Sequence, residues 1–276
     1  MIYDYYLSQV SLGDSKMEDL GKKKRSIKDK SKEDKTIDDF YPSPEDLKTL
    51  PRNSVLIQIS FTLKKPYTSK DEGEFHIIDN KIFENPIVRD KFTGLPIVRP
   101  STWKGHLRFA ARKVEWNEVR KREIIRRLFG SEAEEGNELK GRLYFFPTFF
   151  NNNAEKDVIT PLKRDTRTPA RGPISLEVLK PGKKGEFYLL YLPYPRGEDF
   201  NENEVYEDLK FTVEALKLMF YIYGFSARKA SGFGIIEEKL DKGEMFLNTG
   251  ERKYFEKLDD LSQKIEELFG GRNVSD

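Results

Sequence analysis

The chain has 276 residues, with 49 Lys and Arg, 47 Asp and Glu, and a formal net charge of +2. This length can bury a substantial core, and the balanced charge means that an anion-binding surface must come from locally clustered cations. The absence of Cys excludes disulfides and thiolate metal sites, and two His residues are too few for a His-rich metal centre. Because no apolar run reaches membrane-spanning length and no signal-peptide pattern is present, we expect a soluble, cytoplasmic protein.

Residues 1–50 form the first of three predicted regions. The stretch 21–39, GKKKRSIKDKSKEDKTIDD, contains almost no large apolar side chains. It buries too little apolar surface to offset the entropy lost on ordering, which predicts a mobile charged arm or insertion. Both a solubilising tail and a nucleic-acid-binding arm fit this composition.

The second region, residues 51–250, begins with a strand, because apolar and mixed residues alternate from Val55 to Leu63. The segment 64–100 is rich in Pro and Gly and is predicted to be a long loop insertion. A helix follows, with Ser101 as its predicted N-cap. A second helix near 117–129 is predicted to end at Gly130.

Two further strands are predicted on either side of a second insertion, residues 151–185. The stretch 142–150 reads as a strand interrupted or ended at Pro147, and 186–192 is apolar on both faces, as in a central strand. The apolar face from Leu209 to Phe220 then predicts a helix that ends at Gly224.

The chain closes with a predicted strand at 234–240 and a third region, 251–276, in which a helix near 252–269 stops at Gly270. The order is strand, helix, strand, strand, helix, strand. This order predicts an α+β protein with a ferredoxin-like (RRM-type) βαββαβ sheet, loop insertions and extra helices.

The start of the helix at residues 99–108, RPSTWKGHLR, is the first candidate site. Lys104, Arg108 and Arg112 lie four residues apart, on one side of a helix near its positive end, where phosphates bind well. Gly105 lets a sugar-phosphate approach closely. A Gly in a helix costs roughly 1 kcal/mol against Ala, which favours this function over an ordinary solvated basic face.

The second candidate site is the glycine-rich segment GFSARKASGFG at residues 224–234. Such a loop can present backbone N–H groups to a phosphate chain, with cations beside them. It lacks the ending of a nucleotide-binding P-loop, and simple chain reversal is the alternative. Its candidate residues are Arg228, Lys229, Ser231, Gly232 and Gly234.

Two other loops are candidates. Arg164, Arg167 and Arg171 lie among Pro and Thr, where the planar guanidinium suits phosphate contact, although a mobile charged loop fits equally. The acidic loop 71–90 can place a carboxylate near a scissile phosphate, where it positions a metal or the 2′-hydroxyl nucleophile of RNA, but no spacing in it resembles a formed metal site.

Several of these segments together resemble the RAMP superfamily of CRISPR-associated proteins. The segment ENPIVRDKFTGLPIVRPSTWKGHLR at 84–108 is similar to the family's entry into its first helix. LFGS at 128–131, GRLYFF at 141–146 and the glycine-rich segment follow in the family's order, so that the resemblance spans about residues 55–240. It is strongest to the repeated backbone subunit of type III effector complexes.

This resemblance implies a subunit that holds crRNA along a basic groove, stacks side by side with neighbouring subunits and kinks the guide with a thumb-like insertion. Its implied partners are crRNA, target RNA and the other RAMP and large subunits of the complex. It places Ser101 and Thr102 at the Ser positions of the family's turn and therefore among the RNA-binding residues. It also aligns Glu84 with an Asp that cleaves target RNA in such subunits, although Glu is longer by one methylene.

Three functions remain open from the sequence. The first is guide binding with little or no catalysis. The second is an endoribonuclease that cleaves target RNA through Glu84 or processes precursor CRISPR RNA, for which only His76 and His106 are available as general acid-base groups. The third is a protein-interaction module that shares the sheet. No cofactor is expected, except a divalent metal (Mg²⁺ or Mn²⁺) if the protein cleaves RNA.

Overall fold

A computed structural model describes residues 40–270 except for 71–75, 79–80, 84–85, 92, 132–138, 152, 161–162, 164, 167, 170–171 and 197–199. Within this part of the chain, five antiparallel strands form the central sheet: β1 (Val55–Thr62), β5 (Leu143–Phe145), β9 (Lys184–Tyr191), β10 (Lys242–Leu247) and β11 (Arg252–Tyr254). Their order across the sheet is β11-β10-β1-β9-β5.

Helices supply the other layer of the fold. They are α1 (Pro100–Ala111), α2 (Glu118–Phe129), α3 (Asn203–Lys217), which continues as a wider helical turn through Tyr223, and α4 (Leu258–Ile265). Their buried side chains form the main core with alternate residues of β1, such as Ile57 and Ile59, and with Phe187 and Leu189 of β9. None of the described helices is long and apolar enough to cross a membrane.

The connectivity is that of a ferredoxin-like fold. Taken in chain order, β1, α1, β5, β9, α3 and β10 follow the predicted order of strand, helix, strand, strand, helix and strand. β9 lies between β1 and β5, with Tyr188 opposite Gln58 and Leu189 opposite Ile57. The predicted fold class and the central position of the 186–192 strand are therefore confirmed.

The sequence predicted the boundaries of α2 correctly but not the N-cap of α1. α2 begins after Asn117, whose side-chain oxygen accepts hydrogen bonds from the N–H groups of Val119 and Arg120, and it ends at Gly130 with φ 88°, as predicted. For α1 the predicted N-cap is wrong. The helix already includes Pro100, which has no N–H to satisfy, so that Arg99 is the N-cap and Ser101 lies in the first turn.

The two predictions at the C-terminal end are also corrected. Residues 234–240 do not form a strand, and the last strand of the ferredoxin-like order is β10. The charged run Glu237–Lys239 is exposed, whereas β10 buries five consecutive residues. Residues 252–254, expected in the helix, pair with β10 as β11, and α4 starts only at Leu258.

The predicted insertions carry short hairpins of their own. The segment 64–100 contains β2 (His76–Ile78) paired with β3 (Lys81–Phe83), and β4 (Ile97–Val98), which pairs with β6 (Thr148–Phe149). The predicted strand at 142–150 is indeed interrupted at Pro147, between β5 and β6. The second insertion contains β7 (Glu155–Ile159) paired with β8 (Ile174–Val178).

The end of the predicted charged arm, residues 40–50, is part of the folded domain. Leu47 is completely buried with Leu56 and Phe246 on the sheet face opposite the helices. Tyr41 stacks on Tyr188, with the ring centroids 4.2 Å apart. The expectation of a mobile arm is therefore wrong for this stretch, because its few apolar residues pack on the sheet. Residues 1–39 lie outside the described residues.

Candidate nucleic-acid interface

The outer side of α1 exposes a cationic surface that runs from Lys104 in the second turn to Arg108 in the last turn. Trp103 holds the helix in place, because its ring packs against Phe187 and its Nε1 donates to Thr148 Oγ1 at 3.0 Å. With Trp103 in the core, Ser101 is exposed and Lys104 and Arg108 are half-buried on the outer side. A side chain added at Gly105 would meet no atom within 4 Å, so the helix surface is open at that point.

The glycine-rich segment is anchored from both ends. The Ser226 hydroxyl accepts a hydrogen bond from the N–H of Thr68 at 3.0 Å and donates to the Thr68 carbonyl at 2.7 Å. Phe225 is buried in the core. At Gly224, with φ 73°, an added Cβ would lie only 2.1 Å from the Phe233 carbonyl oxygen. Gly224 is therefore required by the close crossing of two backbone segments.

The candidate residues of this segment divide into two groups. Gly232 adopts a left-handed conformation, with φ 73° and open space around it, and Ser231 beside it is exposed. Gly234 is buried, and an added Cβ there would lie 2.7 Å from the Ser226 nitrogen. Its backbone N–H donates to the Pro66 carbonyl. Packing therefore accounts for this glycine, and the assignment of Gly234 to RNA binding stays a prediction.

The structure brings the two candidate sites together. The Lys229 Nζ lies over the ring of Phe109, 3.8 Å from its centroid. Phe109 in turn contacts the Tyr223 ring edge-on, with centroids 5.3 Å apart. Lys229 of the glycine-rich segment and Lys104 and Arg108 of α1 thus belong to one continuous positive region.

Three side chains of this region have lowered pKa values, which reflects its burial and its concentrated positive charge. Burial, followed by the nearby charge of Lys229, lowers the pKa of His106 to about 4. Burial and the charge of Arg108 lower the pKa of Lys104, and burial lowers that of Lys229. His106 is thus neutral at pH 7, and its buried Nδ1 has no hydrogen-bond partner among the described residues. An anion placed here would relieve the crowding of positive charge.

Two clefts flank the exposed side of α1. The one between α1 and α2 has a volume of about 620 Å³, and Arg108, Arg112, Arg122 and Arg126 are among its lining residues. The other, of about 290 Å³, lies between the start of α1 and β5. Its Lys140 and Tyr144 were missed by the sequence reasoning, since they are distant in sequence from α1 and belong to no charged cluster.

The face that an RRM uses for RNA is covered here. RRM domains stack bases on aromatic side chains of the open sheet face. In this protein Tyr188 of β9 is one such aromatic, but Tyr41 stacks on it and Leu47 fills the neighbouring surface. The cationic surface at α1 and the glycine-rich segment is therefore the better candidate for RNA.

Four of the predicted site residues lie outside the described residues: Glu84, Arg164, Arg167 and Arg171. The chain that follows Glu84 is nevertheless firmly held. Glu177 of β8 accepts a hydrogen bond from the Ile87 N–H at 3.0 Å and forms a 2.9 Å ion pair with Arg89, and both charged side chains are buried. Within the described parts of the chain, no group of three or more metal-ligating side chains comes together.

The fold and this surface define an α+β protein with a central five-stranded antiparallel sheet and a cationic surface formed by α1 and a glycine-rich segment. The family model of the RAMP superfamily matches residues 73–237, and the chain belongs to that superfamily. Among known proteins it is 30% identical over 182 residues to the "CRISPR system Cms endoribonuclease Csm3" of Streptococcus thermophilus, covering 60% of this chain and 79% of that protein.

A solved structure shares the fold. A chain of the "Cryo-EM structure of the Type III-B Cmr-beta bound to cognate target RNA" aligns with a TM-score of 0.51 and 18% identity. The alignment covers 88% of this chain and 81% of the other. The likeness therefore supports the fold over most of the chain.

Proposed function

We propose that this RAMP protein is a backbone subunit of a type III CRISPR complex, and that it binds the sugar-phosphate of crRNA without reading the bases. The observation that carries this proposal is the contact of Lys229 with Phe109, which places the glycine-rich segment beside the open, cationic outer side of α1. Lys and Arg bound to phosphate fix the position of a strand but carry no base information.

The partners follow from the relatives. One is named as the endoribonuclease of a CRISPR system, and the neighbour in the solved structures is bound to its cognate target RNA. We infer crRNA, target RNA and the other RAMP and large subunits of such a complex as partners of this chain. The predicted Arg164, Arg167 and Arg171 remain candidates for RNA contact on the second insertion.

Equilibrium binding of the full chain to single-stranded RNAs of equal length and different base composition tests this function. We expect similar affinities for all sequences and a steep loss of affinity with salt, because phosphate contacts release counterions. A strong preference for one sequence, or a complete lack of binding, would contradict the proposal. A protein-interaction module would show no RNA binding.

Cleavage of target RNA is a second candidate function, favoured by the name of the relative that is 30% identical. A complex reconstituted with crRNA and complementary target, with Mg²⁺ or Mn²⁺ added, should then cut the target at regular spacing. The cuts should vanish with Glu84→Ala and persist with Glu72→Ala, a matched acid of the same loop. If the wild-type complex leaves the target RNA intact, cleavage is contradicted and RNA binding is the one function that still stands.

Processing of precursor CRISPR RNA has less support from the described residues. A general acid-base group works best when its pKa is near the operating pH. His106 has a pKa of about 4 and is nearly always deprotonated at neutral pH, so that it cannot serve as the acid.

A further inference from the structure

The smaller cleft beside α1 continues the cationic surface toward the edge of the sheet. It has a volume of about 290 Å³. The cleft is lined by Pro100, Ser101, Lys104, Lys140, Gly141, Leu143, Tyr144 and Phe145. We propose that this cleft binds one nucleotide of the RNA strand, with the phosphate between Lys104 and Lys140 and the base against Tyr144. The inference rests on the proposed RNA-binding function and adds a site to it.

The charge of the lining favours an anion. It contains two Lys and no acidic residue. The larger cleft between α1 and α2 is different, because Glu118 and Glu123 are part of its wall. Burial and the charge of Arg108 already lower the pKa of Lys104, so a phosphate would be bound in a region of concentrated positive potential.

An aromatic side chain gives the cleft its second property. The Lys140 Nζ lies 5.0 Å from the centroid of the Tyr144 ring, while one side of Tyr144 packs against the sheet cluster around Leu56. The ammonium lies over the ring, and because Lys140 is exposed its flexible side chain can turn to a phosphate and leave the ring face to a base. Sites for single-stranded nucleic acid combine stacked bases with cations that pair with phosphates in this way.

The backbone around Lys140 is held in place by the end of α2. Lys140 forms a bridge with Gly130 at the end of α2. An added Cβ at Gly141 would lie 2.5 Å from the Leu128 carbonyl oxygen, so that the two segments cross in close contact. In the described chain β5 pairs with β9 on one side, and its other side is the edge of the sheet. The cleft is thus built on fixed elements and is open outward.

Binding of the full chain to an RNA oligonucleotide, and to an oligonucleotide of equal length with abasic riboses, tests the proposal. Tyr144→Leu should weaken binding of the intact RNA by at least about fivefold, the loss of one stacked base, and leave the abasic RNA unaffected. Tyr144→Phe should restore the wild-type affinity. Lys140→Ala should weaken the binding of both RNAs and reduce the slope of log affinity against log salt by about 0.7.

The opposite edge of the sheet supplies matched controls. On β11 the Arg252 guanidinium lies 4.7 Å from the Tyr254 ring centroid, and Lys253 is paired with Glu251 at 2.8 Å. Tyr254→Leu and Lys253→Ala should leave both affinities unchanged. Thermal melting of each variant verifies that the protein remains folded.

The outcomes separate this inference from the proposed function. If Tyr144→Leu and Lys140→Ala bind intact RNA as tightly as wild type while Lys104→Ala binds weakly, the cleft proposal is overturned and the proposed function stands. Equal weakening of intact and abasic RNA by Tyr144→Leu would also overturn it. If the wild-type chain binds no RNA, both fail.

Discussion

The ammonium group of Lys229 lies 3.8 Å from the centroid of the Phe109 ring, and this contact holds the glycine-rich segment against α1. Phe109 follows Gly105 by one helical turn, so the contact lies beside the open position on the helix. A sugar-phosphate chain that crosses Gly105 would therefore meet cations from two distant parts of the sequence.

Gly105→Ala should raise the free energy of unfolding by about 0.5–1 kcal/mol, because Gly is a poor helix residue and the added methyl group meets no atom within 4 Å. Gly105→Gln should also preserve the fold but weaken RNA binding, since its side chain covers the open surface. Denaturant unfolding and RNA titration measure the two effects. A loss of stability in Gly105→Ala would show that the position is packed.

The stability of the protein should fall at acid pH partly through His106. Its pKa is about 4 in the folded protein, against about 6.5 in an unfolded chain. The unfolded state therefore binds a proton first as the pH falls. Above pH 6.5 the neutral His106 makes its full contribution of ~3 kcal/mol to the free energy of unfolding, and this contribution is lost as the pH falls from about 6.5 to 4. Unfolding of His106→Gln should show a correspondingly flatter pH dependence, and an unchanged profile would contradict this assignment.

A buried ionic cluster ties α2 and the residue before β5 to α3. Asp208 accepts hydrogen bonds from Arg127 at 2.8 Å, Arg142 at 2.8 Å and the Tyr191 hydroxyl at 3.0 Å, and it is fully buried. Asp208→Ala should destabilise the protein by roughly 3–5 kcal/mol, because it leaves buried guanidinium charge undercompensated.

Asp259→Ala is the matched control for this cluster. Asp259 also forms an ion pair, with Lys217 at 2.7 Å, but its side chain is 68% exposed. Its loss should cost less than about 1 kcal/mol. Equal destabilisation by the two changes, measured by chemical unfolding, would contradict the distinction between the buried and the exposed pair.

The sequence predicted the strands whose hydropathy pattern is regular. β1 alternates and β9 is apolar on both faces, and both strands were recognised. β10 was missed because its pattern is atypical. Glu244 lies buried within the strand, where it pairs with Lys242 and Arg252. An added Cβ at Gly243 would lie 2.4 Å from the Phe255 carbonyl oxygen. Hydropathy alone does not reveal such a strand.

The candidate site was predictable only in part, for a similar reason. The cations and glycines of α1 and the glycine-rich segment cluster in sequence, and a local pattern suffices to find them. The stacking of Tyr41 on Tyr188, and the shared cleft of Lys140 with Lys104, depend on tertiary contacts between distant segments. No local pattern marks these pairs.

The salt dependence of RNA binding by the double variant Lys104→Ala and Arg108→Ala tests the central claim most directly. Each lost phosphate contact should reduce the slope of log affinity against log salt by about 0.7 for a single strand. The account predicts a slope lower by about 1.4, together with a loss of affinity that is equal for all base sequences. An unchanged affinity and slope in a folded double variant would contradict it.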